Sequence, residues 1–243
     1  MSKAYMVLYL DGLFQSYGTY ATEKYKGTEM FPTKSAVIGM LSCALGYSRE
    51  ERDKIAELSN QLKMGVRRDR LCKTMVDFQV VSGFHTPVED IVQLKKGASK
   101  VSNKLVDKAY LCDSAFTVVL EGDYDALKVC EDAIKNPKWV YTLGRYNCMP
   151  SVPIFGTIKD GQKWDKVIYD NFNSIEEALS SVPLCSNASI SDTYLAQIEA
   201  DGNSIVGHDL KAIADEFTKD TLVGTQSYGN RYVYLKFVPA PTK

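Results

Sequence analysis

Residues 4–10 set Tyr5, Val7 and Tyr9 against Met6, Leu8 and Leu10 in strict alternation. Both faces are apolar, the pattern of a central strand covered on two sides. Asp11-Gly12 is expected to break it. Residues 13–30 then read as a polar, glycine-spotted loop, with Phe14, Tyr17, Tyr20 and Tyr25 among Gln15, Ser16, Lys24 and Lys26. Helical spacing begins next. Pro32 and Thr33 suit a helix start, Val37, Ile38, Leu41 and Leu45 face a core, and Gly46 stops the run. Ser48-Arg49-Glu50-Glu51 spells a capping box for a second helix reaching about Asn60.

Met64 to Asp69 and Thr74 to Val81 read as two strands of a hairpin, with Arg67, Arg68, Arg70 and Lys73 near its turn. Residues 82–108 fit no packed element, and a structureless stretch of that length is functional or disordered. Tyr110 to Glu121 is a strong strand pattern. Gly122-Asp123 introduces a helix with Leu127, Cys130 and Ile134 on one face, stopped by Asn136-Pro137. Trp139 to Leu143 is the candidate for one more strand. Beyond it, Lys166 to Tyr169, Thr193 to Ile198 and Arg231 to Val238 read as strands, and Ile175 to Leu179 as a short helix.

This order predicts an α+β class. It resembles the β-α-β-β-α-β ferredoxin-like plan shared by RNA-recognition domains. The expected organisation is a ferredoxin-like domain over 1–155, with a long inserted thumb at about 83–108. A small β-rich C-terminal extension over 156–243 packs on the same domain.

Composition adds limits. The 45% hydrophobic and 24% charged content is that of a globular chain. The longest apolar stretch, residues 36–45, is far short of the roughly 20 residues that span a bilayer. Met1 to Leu10 lacks a cleavable signal pattern, and the six cysteines form no C-x-x-C pair. A cytoplasmic setting with reduced thiols and no membrane contact is therefore expected. Net charge is −1, so the total does not announce a polyanion partner. Its distribution is more telling: residues 63–108 carry ten Lys/Arg against five Asp/Glu. Such a basic middle is either an electrostatic footprint or a solvated face.

Several chemistries are excluded. A G-x-x-x-x-G-K-S/T phosphate loop ending at Lys34-Ser35 needs glycine at 28 and 33, and both positions are threonine. The two histidines, His85 and His208, have no Cys or His at metal-ligand spacing. No cofactor and no metal are expected. What remains is binding chemistry. The helix mouth at Thr33, Lys34 and Ser35 combines unpaired backbone N–H groups, a hydroxyl and a cation, which suits a phosphate. An ordinary capped helix has the same spelling. The aromatic loop holding Gln15 and Tyr17 suits stacked bases, or is simply pinned by its rings.

Six stretches taken in order resemble one family. Residues 8–18 are similar to its opening strand and G-P-L-Q-S-W-G loop. Residues 31–39 match F-P-T-K/R-S-G-V-I-G, and 66–69 match V-R-x-D. Asp77-Phe78-Gln79 followed by Phe84-His85-Thr86 matches D-x-Q-x-x-x-x-Y/F-H-T. Residues 110–116 match Y-L-x-D-A-x-F, and 143–150 match L-G-R-K/R-S-C-x-P. The family is the Cas-five group of the RAMP proteins, in the form found in type I-E CRISPR Cascade. Tyr146-Asn147 and Met149 depart from its glycine turn, and Ala214-Asp215-Glu216-Phe217 departs from its R-D-x-P.

The resemblance implies a non-catalytic subunit that holds the 5′ handle of the CRISPR RNA. It implies that the subunit caps a row of CasC-type backbone subunits beside the CasA-type large subunit, and meets target DNA only through the complex. The role is RNA-guided antiviral defence. Two alternatives are a metal-independent endoribonuclease that processes precursor CRISPR RNA, as in type I-C, and an RNA-recognition protein outside CRISPR. The expected RNA contacts are Gln15, Tyr17, Thr33, Lys34, Ser35, Arg67, His85, Thr86, Lys95, Lys96, Lys100 and Arg145. The lysines belong to the expected thumb, with His85 and Thr86 at its base.

Overall fold

The computed structural model of the chain describes residues 3–18, 21–82, 103–156, 158–159, 162–163, 167–185, 187–200, 215–223 and 227–241. Strand β1 (Lys3–Gln15) and the short β2 (Tyr25–Lys26) precede helices α1 (Lys34–Leu45) and α2 (Arg52–Gln61). Then come β3 (Lys63–Arg70), β4 (Lys73–Ser82), β5 (Asn103–Asp123) and helix α3 (Tyr124–Lys135). The remainder holds the small β6 (Ile158–Lys159), β7 (Gln162–Lys163) and β8 (Ile168–Tyr169), helix α4 (Ile175–Ser181), and strands β9 (Thr193–Glu199), β10 (Asp215–Val223) and β11 (Ser227–Pro239).

Among the described residues one sheet runs β10-β11-β9-β3-β5-β1-β8, with β2 and β4 also joined to β5. Strand β5 is its spine. On one edge β1 pairs antiparallel from Lys3↔Asp123 to Gln15↔Leu111, and β2 follows at Tyr25↔Asp107. On the other edge β3 pairs from Lys63↔Glu121 to Arg70↔Ala115, and β4 takes over from Lys73↔Cys112 to Ser82↔Asn103. The expected hairpin between β3 and β4 therefore does not form. Both strands pair with β5, one after the other, and the break between them lies beside Asp113. That residue has a left-handed φ of 51°. Arg70 holds the kink: its Nε donates to the Asp113 carbonyl at 2.8 Å and its Nη2 to Asp11 Oδ1 at 2.6 Å.

Three further expectations are corrected. Asp11-Gly12 does not end β1, which continues to Gln15, because Gly12 lets Leu143 and the Met149 carbonyl lie against the strand. A Cβ at Gly12 would come within 2.7 Å of Leu143 Cδ1. Trp139 to Leu143 is no strand. It is tied to the end of α1 by Lys138 N to Ala44 O at 3.0 Å and Trp139 N to Cys43 O at 3.2 Å, and β8 takes the place beside β1. Residues 103–108, expected to be structureless, are the first part of β5. The rest of that stretch, 83–102, lies outside the described residues. The second helix also starts later than its capping box suggests, at Arg52. Glu51 still accepts the Ser48 amide at 2.8 Å, so the box closes a turn before the helix.

The two apolar faces of β1 are both used. Met6, Leu8 and Leu10, with Met64, Val66, Phe116, Val118 and Leu120, pack under α1, α2 and α3. Tyr5, Val7 and Tyr9 pack on the opposite face with Val119, α4 residues Ile175, Ala178 and Leu179, and β9 residues Tyr194, Ala196 and Ile198. Caps at both ends frame α1. Thr33 in extended conformation accepts from Ala36 N, and Gly46 adopts φ 78° at the C-terminus. No described helix is long and apolar enough to cross a membrane.

Candidate nucleic-acid interface

Three stretches far apart in sequence meet at the N-terminal turn of α1. The segment after β1 contributes Ser16, Tyr17 and Gly18, the β2 region contributes Lys26 and Gly27, and residues 140–145 contribute Val140, Thr142, Gly144 and Arg145. With the α1 face they enclose an open groove of about 570 Å³. Thr33 and Ser35 stand at its helical end, with hydroxyls 3.4 Å apart. The first backbone N–H groups of α1 have no intrahelical acceptor, so this end of the groove carries a partial positive charge.

The groove floor is fixed by backbone bonds. Ser16 N donates to Leu143 O at 3.1 Å, and Glu29 N to Tyr17 O at 2.6 Å. Gly144 has φ 98°, and a Cβ there would lie 1.7 Å from the Ser16 carbonyl oxygen. Only glycine allows that approach. Arg145 ties its own segment to the β2 region and to β5. Its Nη1 donates to Ala109 O at 2.7 Å, its Nη2 to Lys26 O at 2.8 Å and Gly27 O at 3.3 Å, and its guanidinium lies 4.7 Å from the Tyr110 ring centroid.

Gly39 sits mid-helix on the groove side of α1, and a Cβ there would meet nothing within 4 Å. Interior glycine costs a helix roughly 0.5–1 kcal/mol relative to alanine. The fold gains no packing in return. Gly39 and Thr142 were not among the contacts expected from the sequence, and Lys26 was expected only as part of the aromatic, basic loop. A glycine inside a helical period was the readable signal for the first.

The expected contact residues divide into four groups. Thr33, Ser35 and Arg145 line the groove; Tyr17 borders it, but its ring is 1% exposed and packs edge-on against Phe116, so the expected base stacking on Tyr17 does not hold. Gln15 lies beneath the groove, fully buried, donating to Leu10 O at 3.1 Å and Ser114 O at 2.7 Å while accepting the Tyr17 hydroxyl at 2.6 Å. Burial pushes that hydroxyl's pKa well above its ordinary value.

Lys34 points the other way, into the fold: its Nζ lies 2.9 Å from Glu199 Oε1 with only 4% of the side chain exposed. Arg67 is on the opposite face of the sheet and fully buried. It pairs with Asp69 at 2.7 Å and donates to the Leu179, Val182 and Pro183 carbonyls at the end of α4. His85, Thr86, Lys95, Lys96 and Lys100 lie outside the described residues. Among the described residues no three His, Cys, Asp or Glu side chains gather as a metal site would require.

Residues 5–196 match the family model described as CRISPR-associated protein (Cas_Cas5). The CRISPR system Cascade subunit CasD of Escherichia coli (strain K12) is 31% identical over 163 residues, which is 63% of this chain and 70% of that protein. Two solved structures share the fold. One is described as a CRISPR RNA-guided surveillance complex, with TM-score 0.65 and 21% identity, covering 98% of this chain and 91% of the other. The second is described as a Cas protein, with TM-score 0.64 and 25% identity, covering 98% of both chains.

Proposed function

The chain belongs to the CRISPR-associated Cas5 family, and from that premise we propose that it is a non-catalytic, cytoplasmic Cascade subunit that holds the 5′ handle of a CRISPR RNA in the α1 groove. The observation that carries this reading is the groove itself. Three of the motif stretches that resemble the family, at 8–18, 31–39 and 143–150, are distant in sequence and line one concavity. Its chemistry suits a nucleic-acid backbone: the positive end of the α1 dipole, the Ser35 and Thr33 hydroxyls, and Lys26 and Arg145 on the far wall. Gly39 leaves room for a sugar-phosphate chain to lie against the helix.

On this reading Ser35, Thr33, Lys26 and Arg145 form the contact set among the described residues. Gln15, Lys34 and Arg67 support it from inside the fold. His85, Thr86, Lys95, Lys96 and Lys100 lie outside the described residues; the partners on this reading are a CasC-type backbone subunit and a CasA-type large subunit. The order β8-β1-β5-β3, all antiparallel, with helices following β1 and β5, supports the ferredoxin-like reading.

Ser35→Glu tests the site. A carboxylate at a helix N-terminus is neutral or favourable to the helix, but it repels phosphate from the groove. Repeat-derived RNA should bind the variant roughly tenfold or more weakly, with the melting temperature held or raised. Unchanged RNA affinity removes the groove from the RNA path.

A further inference from the structure

Tyr146 is 93% exposed, although the two residues beside it are anchored. Arg145 is fixed by carbonyls and by the Tyr110 ring, and Asn147 Nδ2 donates to the Tyr110 hydroxyl at 3.2 Å. The backbone is closed around it as well. Cys148 N donates to Arg145 O at 2.8 Å, and Leu143 N to Cys148 O at 2.7 Å. Tyr146 therefore occupies a central position of a tight turn. The fold holds an aromatic ring out in solvent on a rigid support at the rim of the cationic groove. Among the described residues no packing accounts for it, since so exposed a ring buries little area.

A ring presented this way stacks on a flat partner at small entropic cost, because few rotamers need to be frozen. The nearest wall of the groove carries Arg145 and, beside it, Lys26. Val140 is exposed on the same wall and exposed Met149 lies three residues on, so a protein neighbour is the competing occupant that the test must separate from a base. We infer that Tyr146 is the stacking platform for one unpaired base of the RNA whose backbone runs through the α1 groove. This rests on the RNA-binding reading above and deepens it. Stacking on an aromatic face tolerates any base, so the residue fixes the path of the strand rather than its sequence. It also accounts for a tyrosine at a position where the resembling motif carries a cation: one exposed contact is changed from a charge to a ring, beside a guanidinium that remains.

The test uses the full chain and single-stranded oligoadenylates with 2-aminopurine substituted at each position in turn. With the wild-type protein one position should lose fluorescence as it stacks. Tyr146→Ala should abolish that quench and weaken binding about tenfold, with the melting temperature and the salt slope of binding unchanged. Tyr146→Trp should keep both quench and affinity. A Lys26→Ala control should instead flatten the salt slope and leave the quench. If the wild type binds and Tyr146→Ala binds and quenches equally well, the stacking role is wrong. The ring then serves something else, such as a protein neighbour. If the wild type binds no RNA, the groove reading itself fails and takes this inference with it.

Discussion

Lys34 Nζ lies 2.9 Å from Glu199 Oε1 across 165 residues of chain, joining the first turn of α1 to the end of β9. The other carboxylate oxygen of Glu199 accepts Met64 N at 3.0 Å, at the start of β3. Arg231 on β11 stands 3.8 Å from the same oxygen. The C-terminal strands are thus tied to the mouth of the groove by charges that are almost entirely out of water. The lysine that looked from sequence like a phosphate ligand is a tie between the two parts of the fold.

The effect of removing it follows. Breaking one side of a buried pair costs about 3–5 kcal/mol when the remaining charge is left without its partner. Glu199 keeps Arg231 at 3.8 Å, the Met64 amide and some exposure, so the loss should fall below that range, at about 1–2 kcal/mol. Lys34→Ala should lower the melting temperature, and RNA affinity per folded molecule should fall little. Thermal scans paired with active-fraction titrations check this. A variant of normal stability that has lost RNA binding returns Lys34 to the RNA.

Arg67 makes a stronger case. Its guanidinium meets Asp69, Thr117 Oγ1 at 3.2 Å and three carbonyls around the end of α4, and Asp69 in turn accepts Thr117 Oγ1 at 2.6 Å and Cys185 N at 2.7 Å. Lysine offers one ammonium where a planar fork is needed. Arg67→Lys should therefore be destabilising by at least about 2 kcal/mol, read by urea denaturation, and α4 should lose hydrogen-exchange protection first.

Two of the groove glycines, Gly144 and Gly39, should behave oppositely. Gly144→Ala forces a Cβ onto the Ser16 carbonyl at a φ that suits glycine, so a loss of about 2 kcal/mol or more is expected. Gly39→Ala enters open space and should gain up to about 1 kcal/mol. A larger residue there, Gly39→Leu, should preserve the fold and obstruct RNA. Melting temperatures and RNA titrations on the three variants separate the two positions.

Glu131 supplies a pH signature. Burial alone raises its pKa, but hydrogen bonds from Lys128 at 2.8 Å and Lys135 at 2.6 Å outweigh that and leave it lowered. A depressed carboxylate contributes stability above its unfolded pKa, and that contribution disappears as pH falls through its folded value. Glu131→Gln should therefore melt earlier than wild type at neutral pH. The gap should close as pH falls through and below the ordinary carboxylate range. A gap that is constant from neutral to strongly acidic pH would count against the ion-pair origin.

Much of this protein is local, and local features were legible in the chain. Thr33 and Gly46 bound α1, Asp123 and Asn136 bound α3, and the two-sided alternation of residues 4–10 marked a strand buried on both faces, because caps and periodicity act over a few residues. The motifs at 31–39 and 143–150 were each legible as short stretches, but that they line one groove was not. Tertiary structure decided what no short window contains. Strand β5, 21 residues long, accepts β3 and β4 in succession, which dissolved the apparent hairpin between them. It also decided which cations face outward. Lys34 and Arg67 have the same spelling as surface ligands, yet each meets a carboxylate inside the fold. Desolvating a charge is tolerable only beside its partner, and for Lys34 that partner, Glu199, comes from another part of the chain.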